Sequence, residues 1–143
     1  MIGAVVVLAV GLSGCAGPTI TDGGYRAKTA GALRGIASSL ATAKLAMQLE
    51  RDHRMTLALT DTSISQAESD TASALGSWQT RQPPTSVALR LHDRVEQPMQ
   101  DAGSALEDLR IAYRNSDSSG VDKALGELDK AAKEIDTAIQ EAS

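Results

Sequence analysis

Apolar residues recur three or four positions apart in four stretches of this chain, which is the spacing of one face of an α-helix. The stretches cover about residues 26–59, 63–80, 86–115 and 121–139. The pattern therefore predicts an all-α fold with four helices. The positions expected to face its core are Leu33, Ile36, Leu40, Ala43 and Met47, then Ile64, Ala67, Thr71, Ala74, Leu75 and Trp78, then Leu91, Val95, Ala102, Leu106, Leu109 and Tyr113, and finally Val121, Leu125, Leu128, Ala132, Ile135 and Ile139.

Polar sequences between these stretches predict where the helices begin and end. Ser63 with Gln66 predicts a capping box at the start of the second helix, and Ser119 with Asp122 predicts another at the start of the fourth. The segment 82–86 contains two consecutive prolines, so it is expected to stop one helix and cap the next.

The connections between the predicted helices are short, and this restricts how the helices can pack. Helices joined by few residues pack as antiparallel neighbours, so the sequence predicts an up-down four-helix bundle. Pro98 lies inside the third stretch, where it is expected to kink or split the helix. An apolar repeat of this kind could alternatively join two copies of the chain into a longer bundle.

Composition narrows the class of function without naming an activity. The chain of 143 residues has no Phe, 2% aromatic residues and a net charge of −4, which argues against nucleic-acid binding. No serine lies in a Gly-x-Ser-x-Gly elbow, and no glycine-rich phosphate-binding loop is present. The sequence therefore predicts no catalytic residues and no enzymatic activity.

The apolar run that begins at Val5 ends in Leu12-Ser13-Gly14-Cys15. This tetrapeptide resembles the lipobox of bacterial lipoproteins, in which an aliphatic residue and two small residues precede the cysteine that is lipidated. Cys15 is the only cysteine of the chain, which agrees with lipidation rather than disulfide pairing. The resemblance implies a signal peptide over residues 1–14 and a lipidated Cys15. The Gly, Thr, Pro and Asp residues that follow are typical of a flexible tether, so the lipidated cysteine and tether extend over 15–24 and the helical bundle domain over 25–143.

The lipobox resemblance also implies a location. It places the domain outside the cytoplasm in the cell envelope, attached to a membrane by a diacylglycerol and an N-acyl chain on Cys15, with no other cofactor. It leaves open whether that membrane is the inner or the outer one. The departure from the pattern is that no Lys or Arg precedes Val5, which a start codon farther upstream would explain.

Small residues recur on the side of the first helix that lies opposite its Leu and Ile residues. Two of them are glycines, each of which costs about 1 kcal/mol relative to Ala inside a helix, so a compensating contact is expected. The first helix could use this face against two neighbours in its own bundle, carry it as an Ala-rich surface, or present it to a protein partner or second copy. The residues of this small-residue face are Ala27, Gly31, Gly35, Ser38 and Thr42.

Charge is unevenly distributed between the first and last helices. Residues 25–59 contain six basic and two acidic side chains, whereas residues 121–143 contain three basic and six acidic ones. One interpretation is that these helices are neighbours with complementary surfaces. The other is that Arg26, Lys28 and Arg34, which are closest to the predicted anchor, contact anionic lipid headgroups.

Both histidines lie near carboxylates at helical spacing. Glu50 and His53 have the spacing that di-iron bundles use for two ligands, but those bundles require the pair twice together with two further glutamates. His92 and Glu96 lie one helical turn apart, as a weak metal site or an ordinary surface contact would. A solvated helix surface is the favoured interpretation for both pairs, and no metal site is predicted.

These observations favour a lipid-anchored envelope lipoprotein whose bundle is an interaction or structural module. The alternative is a ligand-sensing or carrier bundle that holds a small apolar molecule between helices near Trp78, Tyr113 and Pro98. The scarcity of aromatic residues and the predicted kink motivate this alternative.

Overall fold

The computed structural model describes residues 21–143, and within this range it contains four α-helices and no β-strand. The helices are α1 (Asp22–Arg51), α2 (Leu57–Gln79), α3 (Ser86–Arg114) and α4 (Ser118–Ala142). The predicted all-α class with four helices is confirmed. The predicted lipidation site, Cys15, lies outside the described residues, as do the segment 1–14 and most of the predicted tether.

Each helix begins after a residue whose side-chain oxygen accepts a hydrogen bond from a backbone N–H of the first turn. This satisfies donors that have no partner inside the helix. The first helix starts within the segment 15–24 that composition predicts as tether. The four N-cap residues are Thr21, Thr56, Thr85 and Asp117.

The boundary between the first two helices was predicted wrongly. Helix α2 begins at Leu57, whereas Ser63 lies inside it and its hydroxyl donates to the carbonyl of Leu59 at 2.9 Å. Helix α1 ends earlier because His53 has a φ of 57°, and the N–H groups of His53 and Arg54 donate to carbonyls of the last turn of α1. This is a Schellman ending, which usually contains glycine; because histidine occupies the position here, no local residue marked the end of the helix.

The turn between α3 and α4 ends α3 in the same way. Ser116 has a φ of 54°, and its N–H and that of Asp117 donate to the carbonyls of Tyr113 and Ala112. Asp117 then caps α4 by accepting from the N–H of Gly120 at 2.9 Å. The predicted pair Ser119 and Asp122 is therefore wrong, because Ser119 is already helical.

Helices α1 and α3 pack against each other across the centre of the bundle. Each of these two contacts all three other helices, whereas α2 and α4 do not approach each other closely. Between α1 and α4, Arg26 donates to the Glu141 carbonyl at 2.8 Å, Arg51 pairs with Asp122 at 2.6 Å, and Lys44 pairs with Asp129. These contacts agree with the interpretation that the basic first helix and acidic last helix are complementary neighbours.

The core contains most of the predicted apolar positions. Six of them are only half-buried, and the buried positions that the pattern did not include are chiefly alanines together with Tyr25 and Met99. Helix α3 continues through Pro98 without a break, so the helix is not split there. The half-buried positions are Ala74, Leu75, Tyr113, Leu125, Ala132 and Ile139.

Among helices α1 to α4, none combines the length and the apolar character needed to cross a bilayer.

Candidate binding groove

A groove of about 770 Å³ is lined by residues near the C-terminal ends of α1 and α3 and near the N-terminal ends of α2 and α4. It is open to solvent, and all four helices contribute to its walls. Its volume falls within the range of about 300–1,000 Å³ that is typical of small-molecule sites. The apolar residues that line the groove are Met47, Leu57, Ala58, Tyr113 and Val121.

The two Schellman endings position the apolar lining. Because α1 stops at Arg51, the chain turns early and Leu57 becomes the first residue of α2, where 67% of its surface remains exposed. The Tyr113 hydroxyl, in the last turn of α3, donates to the Leu57 carbonyl at 3.3 Å. Burial raises the pKa of Tyr113, and the nearby Glu50 carboxylate raises it further.

Two arginines at the groove are held by carboxylates. Arg114 donates to both oxygens of Asp61, at 2.7 and 3.2 Å, and also to Ser65 Oγ at 2.9 Å. This hydrogen bonding lowers the pKa of Asp61 and raises that of Arg114. Arg51 pairs with Asp122. Within the groove, each arginine charge is therefore balanced by an acidic neighbour.

Glu50 is the fifth charged residue of the groove. Its side chain is half-buried and has no hydrogen-bond or ion-pair partner among residues 21–143. It also lies in the last turn of α1, where the helix dipole disfavours a negative charge. Glu50 thus brings an unpaired carboxylate to the groove.

The opposite end of the molecule is closed by a different set of residues, which we call the aromatic cluster: Tyr25, Thr29, Trp78 and His92. The Trp78 ring stacks on His92, with ring centroids 4.3 Å apart and an angle of 13° between the planes. The Trp78 indole N–H donates to Thr29 Oγ1 at 3.2 Å, and the Tyr25 hydroxyl and His92 Nδ1 share a hydrogen bond of 2.8 Å. Burial raises the pKa of Tyr25.

The aromatic cluster corrects the interpretation of His92 as a solvated surface residue. Its ring is half-buried between helices, because it fills the space beside Trp78 and satisfies the Tyr25 hydroxyl. His53, by contrast, is exposed and serves in the turn after α1. No cluster of His, Cys, Asp and Glu suited to a metal ion occurs in the described part of the chain.

The predicted pocket near both Trp78 and Tyr113 does not form as one site. Trp78 is fully buried at the end of α2, whereas Tyr113 contacts Leu57 at its beginning. A helix rises about 1.5 Å per residue, so these two positions on α2 lie about 30 Å apart. The sequence pattern identified Tyr113, placed Glu50 on a solvated helix surface although it is half-buried at the groove, and missed Leu57, because the helix boundary was misplaced.

The residues predicted for external contacts lie on α1. Arg26 and Arg34 are exposed, Lys28 is half-buried, and Arg26 also donates to the last turn of α4. The small-residue face, Ala27, Gly31, Gly35, Ser38 and Thr42, is exposed along its length. A methyl group added at Gly31 or Gly35 would meet no atom within 4 Å, so the face is not packed against another helix at these two positions, whereas Ser38 and Thr42 line a cleft shared with α2.

Comparisons with protein-family models, with curated proteins and with solved structures find no match for this chain.

Proposed function

We propose that the protein is a lipid-anchored envelope lipoprotein whose helical bundle is a binding module and not an enzyme. The observation that carries the proposal is the lipobox-like Leu12-Ser13-Gly14-Cys15, which lies only a few residues before the start of α1 at Asp22. The lipid chains would fix the location, since two or more acyl chains anchor a protein stably. The exposed surfaces of the bundle would then bind its partner.

We further infer the antiparallel up-down arrangement of the four helices and a bend of α3 at Pro98. Contacts between the start of one helix and the end of another support the arrangement, among them Arg26 with Glu141 and Thr29 with Trp78. The bend follows from the missing N–H of the proline and from the clash of its ring with the preceding turn.

Metabolic labelling with a radioactive fatty acid tests the anchor. The wild-type protein should take up the label and remain with the membrane fraction, whereas Cys15→Ser should do neither, because no other cysteine is available. Ala16→Ser serves as the matched control and should be labelled like the wild type. Equal labelling of Cys15→Ser and wild type would refute the proposal.

Contact of Arg26, Lys28 and Arg34 with anionic headgroups is a second part of the proposal. Each basic residue near a charged membrane surface contributes about 1 kcal/mol of attraction. Replacing the three by Gln should release delipidated protein from anionic vesicles, as measured by co-sedimentation. Replacing Lys123, Lys130 and Lys133 of α4 makes the same change of charge elsewhere and should have little effect; equal loss from both triple variants would contradict a specific contact.

The second candidate function is a carrier or sensor of a small ligand, and the groove favours it. We propose that the ligand binds among Met47, Leu57 and Tyr113, at the far end of the bundle from Trp78. Leu57 and Ala58 of the lining are exposed in the free protein, so burying them would favour a ligand with an apolar part.

A further inference from the structure

The groove combines exposed apolar surface at Leu57 with one unpaired carboxylate, and this combination restricts the class of ligand that it can bind. Leu57 exposes two-thirds of its surface at the groove. A ligand with an alkyl or aryl part would cover this surface and gain about 25 cal/mol for each Å² of apolar area removed from water.

The charges of the groove favour a positive group on that ligand. Arg51 and Arg114 are each paired with a carboxylate, so an anionic ligand would have to compete with Asp122 and Asp61 for them. The Glu50 carboxylate has no such partner in the described chain. A cation beside Glu50 would gain an ion pair without breaking one that already exists.

Tyr113 also favours a positively charged group on the ligand. It lines the groove together with Glu50. The electron-rich face of an aromatic ring attracts cations, with a contribution of about 0.5–2 kcal/mol. The carboxylate and the ring together form surroundings that suit an organic ammonium group.

The half of the bundle around the groove carries the negative charge of the molecule. Residues 38–68 and 101–130, which form this half, contain eleven carboxylates and seven basic side chains. The imbalance equals the net charge of −4 of the whole chain. The field of this end therefore attracts cations and repels anions over the distance set by salt screening.

We propose that the groove binds a hydrophobic organic cation, with Glu50 as the counter-ion of its ammonium group and Leu57, Met47 and Tyr113 in contact with its apolar part. This inference names the ligand class for the second candidate function and rests on the groove being a ligand site. It does not depend on lipidation of Cys15.

Calorimetric titration of the full chain with octyltrimethylammonium, below its micelle concentration, tests the proposal. Wild type should bind one molecule, and Glu50→Gln should weaken binding about tenfold, which corresponds to about 1.4 kcal/mol. Glu107→Gln removes an exposed carboxylate of α3 that does not line the groove, and it should leave the affinity unchanged. Octyl sulfate, with the opposite charge, should bind at least tenfold more weakly than the ammonium probe.

The possible outcomes separate this inference from the function on which it rests. Equal binding of both probes, unchanged in Glu50→Gln, would overturn the cation preference while leaving the groove as an apolar site. Absence of binding by either probe would overturn the ligand site as well. Tighter binding of a Lys-rich peptide than of the ammonium probe would overturn the small-molecule class in favour of a protein partner.

Methyl chemical shifts of Leu57 and Met47 locate the probe, and shifts confined to other residues would contradict the site.

Discussion

The two ends of this bundle are built on different principles. At the end where α1 begins, the aromatic cluster fills the space between helices, and its polar atoms bond to one another. At the other end, ion pairs bridge the helices and Leu57 is left exposed beside the groove. One end is thus closed by packed rings, whereas the other leaves apolar surface exposed at a groove. A site that must admit a ligand is expected at the second.

The two ends should differ most in how much free energy of unfolding is lost when one aromatic side chain is removed. Trp78→Ala removes a fully buried ring and should lower the free energy of unfolding by about 3–5 kcal/mol. Tyr113→Ala removes a half-buried ring at the groove and should cost less, about 1–2 kcal/mol. Urea denaturation followed by circular dichroism measures both. Similar losses would show that the groove end is packed as tightly as the other.

Alanine substitutions at two glycines of α4 test how much the N-cap of this helix contributes to the stability of the groove end. A methyl group at Gly120 would lie 2.9 Å from Asp117 Cγ and 3.0 Å from Ala112 Cβ, so Gly120→Ala should displace the cap and cost about 1–2 kcal/mol. Gly126→Ala, in the same helix, meets no atom within 4 Å and should stabilise by up to about 1 kcal/mol. Thermal unfolding should shift in opposite directions. A shift in the same direction would mean that the cap does not hold this turn.

The smallest expected effect is on the acid side of the pH–stability curve. Arg114 lowers the pKa of Asp61 in the folded protein, so this pair stabilises above the unfolded pKa of Asp61, and the contribution is lost as pH falls through the folded value. Asp61→Asn should therefore be less stable than wild type at neutral pH, and the two should converge below about pH 4. Asp136→Asn, an exposed change on α4, should show no such convergence. A constant difference between Asp61→Asn and wild type would contradict the role of the ion pair.

The sequence was a good guide to the helices and a poor one to their ends. Apolar spacing located residues such as Leu33, Leu106 and Leu128 in the core, because a helix has a fixed period. The end of α1 was not predicted, because His53 adopts the left-handed conformation in which glycine is expected. That error shifted the start of α2 and concealed the groove, since the predicted first helix ran to residue 59 and placed Leu57 in its last turn instead of at the start of α2.

The pairings between distant residues were also beyond the sequence. His92 looked like a surface residue beside Glu96, but the fold brings it against Trp78 and Tyr25, which belong to two other helices. No local pattern encodes such contacts. Only the charge difference between the first and last helices hinted at a long-range pairing, and α1 does lie against α4.

The length of α1 has a geometric consequence. Its 30 residues span about 45 Å at 1.5 Å per residue, and the groove lies at the end remote from Thr21. With Cys15 held in a membrane, as proposed, an upright helix would carry the groove farther from the lipid than the polar headgroup layer is thick. The bundle would then sample solutes of the aqueous layer rather than molecules dissolved in the bilayer.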